Sequence, residues 1–226
     1  MNTNRFTQLA AIGLLLLSTS GCIIHIGGHK DGDNGHKDSD ISSVLGNLEV
    51  DAQSEVRDVS TVNGRITINN DVTAKDLDTV NGNINIGKNV TIRSASTVNG
   101  SISAKSQLRV KDSLSTVNGD IELAKNAEVG QDITTVNGDI VLLSAKVNGE
   151  LKTKNGDISL RDATQIGGDI IFQAQEDKRW SKGDLPTLSI DASSDVQGKI
   201  ILHRKVILEI QNTALLAKVE RRYSEQ

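Results

Sequence analysis

Short clusters of apolar residues alternate with polar positions along the chain, and three kinds of cluster recur in a fixed order every 18 or 19 residues. The first cluster has the form Ile-x-Ile, as at Ile66 and Ile68. The second centres on one aliphatic residue such as Val72, and the third begins at residues such as Val59 and ends in Thr-Val-Asn-Gly. Alternation with a period of two and many β-branched residues predict three short β-strands in each repeat.

The Asn-Gly pairs mark this repeat most clearly. They begin at residues 63, 81, 99, 118, 137 and 155, at intervals of 18, 18, 19, 19 and 18. Three strands that close after 18 or 19 residues form one turn of a β-solenoid, in which equivalent residues stack about 4.8 Å apart. The sequence therefore predicts an all-β fold over residues 41–210. We expect a three-sided parallel β-solenoid (β-helix) of about eight coils. We expect it to be right-handed, because connections between parallel strands are strongly biased to the right hand.

Two other β-architectures are alternatives to this solenoid. A transmembrane barrel needs strands of about 10 residues and girdles of aromatic residues. The clusters in this chain are shorter, and aromatic residues make up 2% of the sequence. A left-handed hexapeptide helix also has coils of about 18 residues, but the intervals of 19 fit its sixfold repeat poorly. The pattern therefore favours the three-sided parallel solenoid.

The repeated tetrapeptide is predicted to form a corner of the solenoid and not a catalytic motif. Glycine accepts the left-handed backbone conformation expected at a corner, and asparagine can hydrogen-bond to its own coil and to the next. Stacking would place equivalent residues in columns. The predicted asparagine ladder comprises Asn63, Asn81, Asn99, Asn118, Asn137 and Asn155, the corner glycines are Gly64, Gly82, Gly100, Gly119, Gly138 and Gly156, and a threonine column contains Thr61, Thr79, Thr97, Thr116, Thr135 and Thr153.

Aligning the coils also brings acidic residues into two columns. In the first column, a base precedes the acidic position in the first four coils and not in later ones. The simpler interpretation is that Asp forms turns there, and the alternative hypothesis is a ridge that binds divalent cations, since calcium takes six to eight oxygen ligands. This cation ridge would comprise Asp112, Asp132, Glu150 and Asp169, and the second column contains Asp120, Asp139 and Asp157. No other metal site is predicted in the repeats.

The N-terminal segment predicts export and lipid attachment. Residues 1–21 contain one basic residue, Arg5, then an apolar run at 9–17 and small residues, as in a lipoprotein signal peptide. The apolar run is too short to span a membrane in the mature protein. Cys22, the one cysteine of the chain, directly follows "STSG", which resembles a lipobox although Thr19 stands where leucine is usual. We therefore predict lipidation of Cys22, with simple secretion as the alternative.

The segment after Cys22 predicts a flexible tether. Residues 22–40 hold the lipidated Cys and a stretch rich in Gly, Asp, His and Lys, which has no apolar period. The alternative is a metal-binding tract, but the spacing of its residues is not that of a tetrahedral site. It would comprise His25, His29 and His36 with Asp31, Asp33, Asp38 and Asp40. The formal charge of −4 and the lack of a basic patch argue against nucleic acid as a partner.

Two further segments interrupt or follow the predicted solenoid. The insertion at 173–186 contains the only tryptophan, Trp180, and is predicted to fold over the flank of a coil. A contact patch formed by Trp180 with Lys178 and Arg179 is the alternative. Residues 211–226 are predicted to be a C-terminal cap or tail. This segment contains Lys218, Arg221 and Arg222, and charged residues often block exposed strand edges.

The repeats carry a resemblance to a known family. The Thr-Val-Asn-Gly-x-Ile words from Thr61 to about Leu160, behind Cys22, resemble the adhesin-type β-helix lipoproteins of Gram-negative bacteria. The likeness extends to "LSIDASSDVQGKIILHRKVILEI" at 188–210. The coil length is similar to that of bactofilins, polymer-forming cytoskeletal β-helices, from which this chain departs in its export signal. Fold transfers from such a likeness more reliably than function does.

The resemblance implies a non-catalytic structural or adhesion module that is lipid-anchored to the outer membrane, on its periplasmic or its surface face. Its implied partners are the membrane, through the N-terminal lipid, and a glycan or protein ligand of the envelope or the host. Self-association is a further expectation, and neither a catalytic residue nor a cofactor is predicted. The alternatives are a polysaccharide-binding or polysaccharide-cleaving β-helix and an envelope scaffold that polymerises end to end.

Overall fold

The computed structural model describes residues 24–26, 40–174 and 185–223. Over these residues the chain forms an all-β parallel solenoid of about nine turns with three sheets, which confirms the predicted fold class. The predictions for Cys22, for the histidine tract at 29–36 and for the patch around Trp180 lie outside the described residues.

Three parallel sheets form the sides of the solenoid, and successive strands of the chain visit them in the order A, C, B. Sheet A contains Ile24–Ile26, Leu48–Val50, Ile66–Ile68, Ile84–Ile86, Ile102–Ala104, Ile121–Leu123, Ile140–Leu143, Ile158–Arg161, Thr187–Ile190 and Ile207–Ile210. Sheet B contains Ile41–Leu45, Val59–Asn63, Asp76–Asn81, Ser94–Asn99, Leu114–Asn118, Ile133–Thr134, Leu151–Thr153, Ile170–Phe172, Ile200–Leu202 and Val219–Arg221. Sheet C contains Thr91–Ile92, Arg109–Val110, Glu128–Val129, Lys146–Val147, Gln165–Ile166 and Asp195–Val196.

The coils stack in register, so that like residues face like residues. In sheet A, Ile102 pairs with Ile84 on one side and with Ile121 on the other. The register persists across the predicted insertion, because Ile158 pairs with Leu188 although 30 residues separate them. The coils before and after the insertion therefore stay in register with each other.

Alternate residues of most strands between 41 and 190 point into the solenoid and form one continuous core. In the Ile-x-Ile strands both isoleucines are inaccessible, with exposed fractions of 0% for Ile66 and 1% for Ile68, while Thr67 between them faces outward. Burying an aliphatic side chain of this size contributes about 1.5–3 kcal/mol. The repeated apolar clusters therefore supply the main stabilisation of the fold.

The left-handed corner conformation occurs at another place than expected. None of the six corner glycines has the αL geometry near φ +57°, and Gly119, at 157°, is the one among them with a positive φ. The αL residues instead lie at the corner between sheets A and C. They are Gln53, Asp71, Asn89, Gln107, Asn126, Ser144, Asp162 and Ala163, with φ between 48° and 66°. Conformational freedom is therefore not the reason for the Asn-Gly glycines.

Both ends of the solenoid differ from the expected boundaries. Ile24–Ile26 pairs in parallel with Leu48–Val50, so part of the segment predicted as a tether at 22–40 belongs to sheet A. At the other end, residues beyond 210 form a 3-10 helix at Thr213–Lys218 and then Val219–Arg221, which pairs with Ile200–Leu202. Leu215 of the 3-10 helix is buried in the core. The solenoid therefore extends in both directions beyond residues 41–210.

Candidate functional site

The six predicted asparagines lie in one exposed column, where each amide bonds to the next. The Nδ2 group of Asn81 donates to Oδ1 of Asn63 at 2.8 Å, and Asn99 donates to Asn81 at the same distance. The bonds continue through Asn118, Asn137 and Asn155 at 2.9, 2.7 and 2.8 Å. Each side chain in the middle of the ladder is thus both donor and acceptor, which joins consecutive coils at the same corner.

The ladder ends on a side chain that sequence reasoning missed. Arg204 is 3% exposed, and its Nη1 group donates to Oδ1 of Asn155 and to the carbonyl oxygen of Lys154, both at 2.7 Å. Burial lowers the pKa of this guanidinium. Because no asparagine follows Asn155 in the column, Arg204 supplies the donor that the last amide oxygen needs.

The corner glycines are required by the close approach of successive coils. A Cβ atom at Gly82 would lie 1.8 Å from the carbonyl oxygen of Gly64, and one at Gly100 would lie 2.0 Å from that of Gly82. Both contacts are with backbone atoms, which have little freedom to move away. The glycine column therefore allows the coils to stack at strand spacing.

The threonine column is buried and bonds the same corner from the inside. Thr79, Thr97 and Thr116 donate through Oγ1 to the carbonyl oxygens of the glycines one coil back, at 3.1, 3.0 and 2.9 Å. The hydroxyl of Thr153 is also buried, but it has no hydrogen-bond partner among the described residues. The column therefore contains one member that does not follow the pattern.

We expect Thr→Val substitutions at positions 116 and 153 to differ in their effect on stability. Thr116→Val removes the 2.9 Å hydrogen bond from its hydroxyl to the carbonyl oxygen of Gly100 and should lower the free energy of unfolding by about 1–2 kcal/mol. Thr153→Val removes a buried hydroxyl without a partner and should be neutral or stabilising. Chemical denaturation of the two variants checks this. Equal destabilisation by both would show that the hydroxyl bonds do not matter.

The second acidic column binds backbone N–H groups of the following coil. The Oδ1 atoms of Asp120 and Asp139 accept from the backbone nitrogens of Asp139 and Asp157, at 2.9 and 2.8 Å. Asp157 accepts from the nitrogen of Thr187 at 2.7 Å. These three aspartates therefore join neighbouring coils at the start of sheet A strands.

The first acidic column contains the residues of the cation-ridge hypothesis. The ammonium of Lys152 lies 3.8 Å from a carboxylate oxygen of Asp132 and forms an ion pair with Glu150. Partial burial alone would lower the pKa of Lys152, but the hydrogen bond to Glu150 and the charges of Asp132, Glu150 and Asp169 outweigh it and raise the pKa. A lysine therefore lies at the centre of the ridge, in the coils where the comparison of repeats showed no base before the acidic position.

Two aspartates of that ridge also accept hydrogen bonds from the backbone of the following coil. Oδ1 of Asp132 accepts from the backbone nitrogen of Glu150, and Oδ1 of Asp169 accepts from that of Lys199, both at 2.8 Å. Within residues 40–174 and 185–223, no group of three or more His, Cys, Asp and Glu is arranged to hold a metal ion. This geometry favours a structural role for the acidic column.

A hydrogen-bonded carboxylate at a later corner gives a prediction for pH. Asp191 accepts from the backbone nitrogens of Asp162, Ser193 and Ser194, at 2.8, 3.1 and 2.8 Å. Its slight burial would raise the pKa, but hydrogen bonds from Ser194, Asp162 and Ser193 outweigh it and hold the pKa below its usual value. Such a carboxylate stabilises the fold above its unfolded pKa, and the effect is lost as the pH falls through the folded value.

We therefore expect Asp191→Asn to lower the melting temperature near neutral pH. The difference from the unsubstituted protein should shrink as the pH falls below about 4, where the carboxylate of the unfolded chain is already protonated. Thermal unfolding followed by circular dichroism across this pH range measures the difference. A difference that stays constant down to about pH 2 would contradict the assigned role of the carboxylate.

The outward residues of the sheets form the surfaces that a partner would meet. Sheet A presents a column of mostly small polar residues, which are Glu49, Thr67, Asn85, Ser103, Glu122, Val141, Ser159, Ser189 and Glu209. Sheet B presents a half-buried column of valines beside the asparagine ladder, at Val62, Val80, Val98, Val117 and Val136. Both columns repeat at the strand spacing of about 4.8 Å, so they suit a ligand with its own repeat.

Sheet C carries a shallow polar depression near its C-terminal end. Its volume is about 250 Å³, and it is lined by Lys146, Val147, Asn148, Gln165, Gly167 and Gln197. In the earlier coils the equivalent column holds long basic residues such as Arg93 and Lys111, whereas Gly130 and Gly167 follow later. Asn148 and Gln197 hold the same column position on either side of Gly167, so the depression lies where shorter uncharged residues replace the long basic ones.

The C-terminal edge of sheet C is covered by side chains of the chain's own end. Lys218 donates through Nζ to the carbonyl oxygen of Val196 and, at 3.3 Å, to that of Gln197. Asn212 donates to the carbonyl oxygen of Ser194 at 3.1 Å. Asp195–Val196 is the last strand of this sheet, so these contacts occupy acceptors that another chain would otherwise pair with.

Comparison with protein-family models, with curated proteins and with solved structures gives no match for this chain. The resemblance to the adhesin-type β-helix lipoproteins thus stays a prediction. In the described part of the chain, no helix has the length and apolar character needed to cross a membrane.

Proposed function

We propose that this chain is a non-catalytic, lipid-anchored protein of the cell envelope whose β-solenoid serves as a structural or adhesion module. The observation that carries the proposal is the structural role of the repeated Thr-Val-Asn-Gly tetrapeptide. Its Thr, Asn and Gly residues each contact the adjacent coil, as at Thr116, Asn99 and Gly100. These residues therefore hold consecutive coils together, while the outward columns remain available for binding.

The envelope location in this proposal rests on the export signal and on Cys22. The signal at 1–21 and the lipobox-like "STSG" support lipidation at that cysteine, with the outer membrane as the site of anchoring. The partners we propose are the membrane, through the lipid, and a glycan or protein of the envelope or the host. The regular outer columns of sheets A and B support a ligand with a repeating structure.

Mass analysis of the mature protein tests the proposal. We expect the purified protein to begin at Cys22 and to carry the added mass of covalently attached lipid, and we expect Cys22→Ala to abolish both. Protease treatment of intact cells then decides which face of the outer membrane carries the rod. A mature chain that begins elsewhere, or that carries no lipid, would overturn the anchored-module proposal.

Polysaccharide binding is the second candidate, and the depression on sheet C favours it. Asn148, Gln165 and Gln197 offer amide donors and acceptors, and Lys146 adds an ammonium donor, all of which suit sugar hydroxyl and carboxylate groups. A binding screen on pectin, alginate and peptidoglycan fragments tests this candidate. A Gln165→Ala variant should lose binding, while Ser103→Ala on sheet A should retain it. Cleavage of any of these polymers would overturn the non-enzymatic proposal.

The end-to-end polymer is less well supported than either candidate. The side chains of Lys218 and Asn212 occupy carbonyl groups at the C-terminal edge of sheet C. Such contacts oppose the addition of another chain at that edge. Sedimentation of the purified protein at increasing concentration distinguishes the cases, because a polymer would grow with concentration.

A further inference from the structure

The N-terminal end of the rod lies very close in sequence to the proposed lipid. Ile24–Ile26 is the outermost strand of sheet A and pairs with Leu48–Val50 of the next coil. Only Ile23 separates this strand from Cys22. Two residue steps span at most about 7 Å, which is about the thickness of one headgroup layer. A lipidated Cys22 would therefore hold the first coil at the membrane surface, and not at the end of a long tether.

The same end of the rod exposes apolar side chains. Val44 and Leu45 lie on the outermost strand of sheet B, with exposed fractions of 47% and 45%. Leu45 is in register with Asn63, so the position that holds an asparagine in the next six coils holds a leucine here. The substitution ends the asparagine ladder and places an apolar group at the end of the rod. Such a pair is suited to the interface of a bilayer.

The two observations point to the same occupant. Ile24–Ile26 and Val44–Leu45 belong to the outermost strands of two neighbouring sheets at one end of the solenoid. A bilayer that holds the acyl chains of Cys22 is the surface that reaches both. The opposite end lies about 43 Å away, since sheet A has ten strands and hence nine spacings of about 4.8 Å.

We propose that the rod stands on the membrane with its N-terminal coil in contact with the lipid headgroups and with Val44 and Leu45 at the interface. This inference rests on the proposed lipidation of Cys22. It adds an orientation, with the corner ladders running away from the bilayer and the C-terminal cap at the far end. The outward columns of sheets A and B would then present their ligands along the direction away from the membrane.

Fluorescence quenching from the bilayer tests this orientation on the lipidated full-length protein. Because the thiol of Cys22 is consumed by the lipid, one introduced cysteine takes one thiol-reactive fluorophore. Leu45→Cys places the label at the proposed interface, and Glu209→Cys places a matched label on an exposed residue at the far end. The proteins are reconstituted in phosphatidylcholine vesicles that contain a nitroxide on the headgroup. We expect several-fold stronger quenching at position 45 than at position 209.

The outcomes separate this inference from the proposed function. If the protein floats with the vesicles and the two labels are quenched equally little, the rod does not rest on the membrane, although the anchor is present. If the mature protein carries no lipid and does not float, the proposed anchoring itself fails, and the orientation fails with it. A label at Val44→Cys guards against a local effect of the first variant and should be quenched as strongly as the label at position 45.

Discussion

Gly100→Ala should destabilise the rod by at least about 3 kcal/mol and lower its melting temperature by roughly 6–12 °C. A Cβ atom at this position would lie 2.0 Å from the carbonyl oxygen of Gly82 and 2.5 Å from its carbonyl carbon. Relief of that overlap requires the two coils to separate, which would also lengthen the bonds from Thr97 to Gly82 and from Asn99 to Asn81. Thermal and urea unfolding measure the effect.

Ser103→Ala is the matched control for this substitution. Ser103 lies three residues further along the chain, and its exposed side chain is on the outer face of sheet A. We expect its melting temperature to differ little from that of the unsubstituted protein, since exposed substitutions usually change stability by less than about 0.5 kcal/mol. If Gly100→Ala is as mild as this control, the coils do not approach each other at the corner as described.

Phe172→Ala should cost about 3–5 kcal/mol of unfolding free energy. Phe172 is fully buried, and it takes the place of the threonine column, since it pairs with Thr153 on one side and with Leu202 on the other. Removing the ring would leave a cavity where the core changes from a small polar column to large apolar residues. Urea denaturation with tyrosine and backbone signals measures the loss.

The neighbouring Ile171 provides the control for Phe172. It belongs to the same strand but is only partly buried, because it faces outward. Ile171→Ala should therefore cost clearly less than Phe172→Ala, since the surface can close over the missing groups without an internal cavity. Equal losses at the two positions would place both side chains in the same environment and contradict the alternation of inward and outward residues.

The fold could be predicted from the sequence because its repeat is strict. Asn63, Asn81 and Asn99 are identical residues at constant spacing, and only a stacked architecture gives such spacing a purpose. The Ile-x-Ile clusters indicated strands because they recur at the same interval, and the register of these strands follows from the repeat. In a solenoid, contacts between residues that are far apart in the chain therefore recur at a fixed interval, which can be recognised in the sequence.

The physical role of the corner glycines could not be predicted from the repeat. A glycine column is compatible with an αL corner and with close backbone approach, and both produce the same sequence. In the structure the backbones of Gly82 and Gly64 approach closely, and the αL residues lie at a different corner, between sheets A and C. That second column was hidden because its residue types vary, from Gln53 to Asp71 to Ser144, although its spacing of 18 or 19 was available.

The features at the ends of the rod could not be predicted from the period of the repeat. Arg204 binds Asn155 across 49 residues of chain, and nothing in the local sequence marks it as the end of the ladder. Ile24–Ile26 has the Ile-x-Ile form of the sheet A strands, but it lies 24 residues before its partner Leu48–Val50, so the interval of 18 or 19 did not mark it as a strand. End contacts occur once in the molecule, and a period cannot indicate a contact that does not recur.

Distances between spin labels along sheet A test the stacked architecture most directly. Thr67 is separated from Val141, Ser189 and Glu209 by four, six and seven strand spacings of the register. With Cys22 replaced by serine and cysteine pairs introduced at these positions, double electron–electron resonance should give distances near 19, 29 and 34 Å, as about 4.8 Å per coil requires. Distances that do not rise in proportion to the number of coils would contradict in-register parallel stacking.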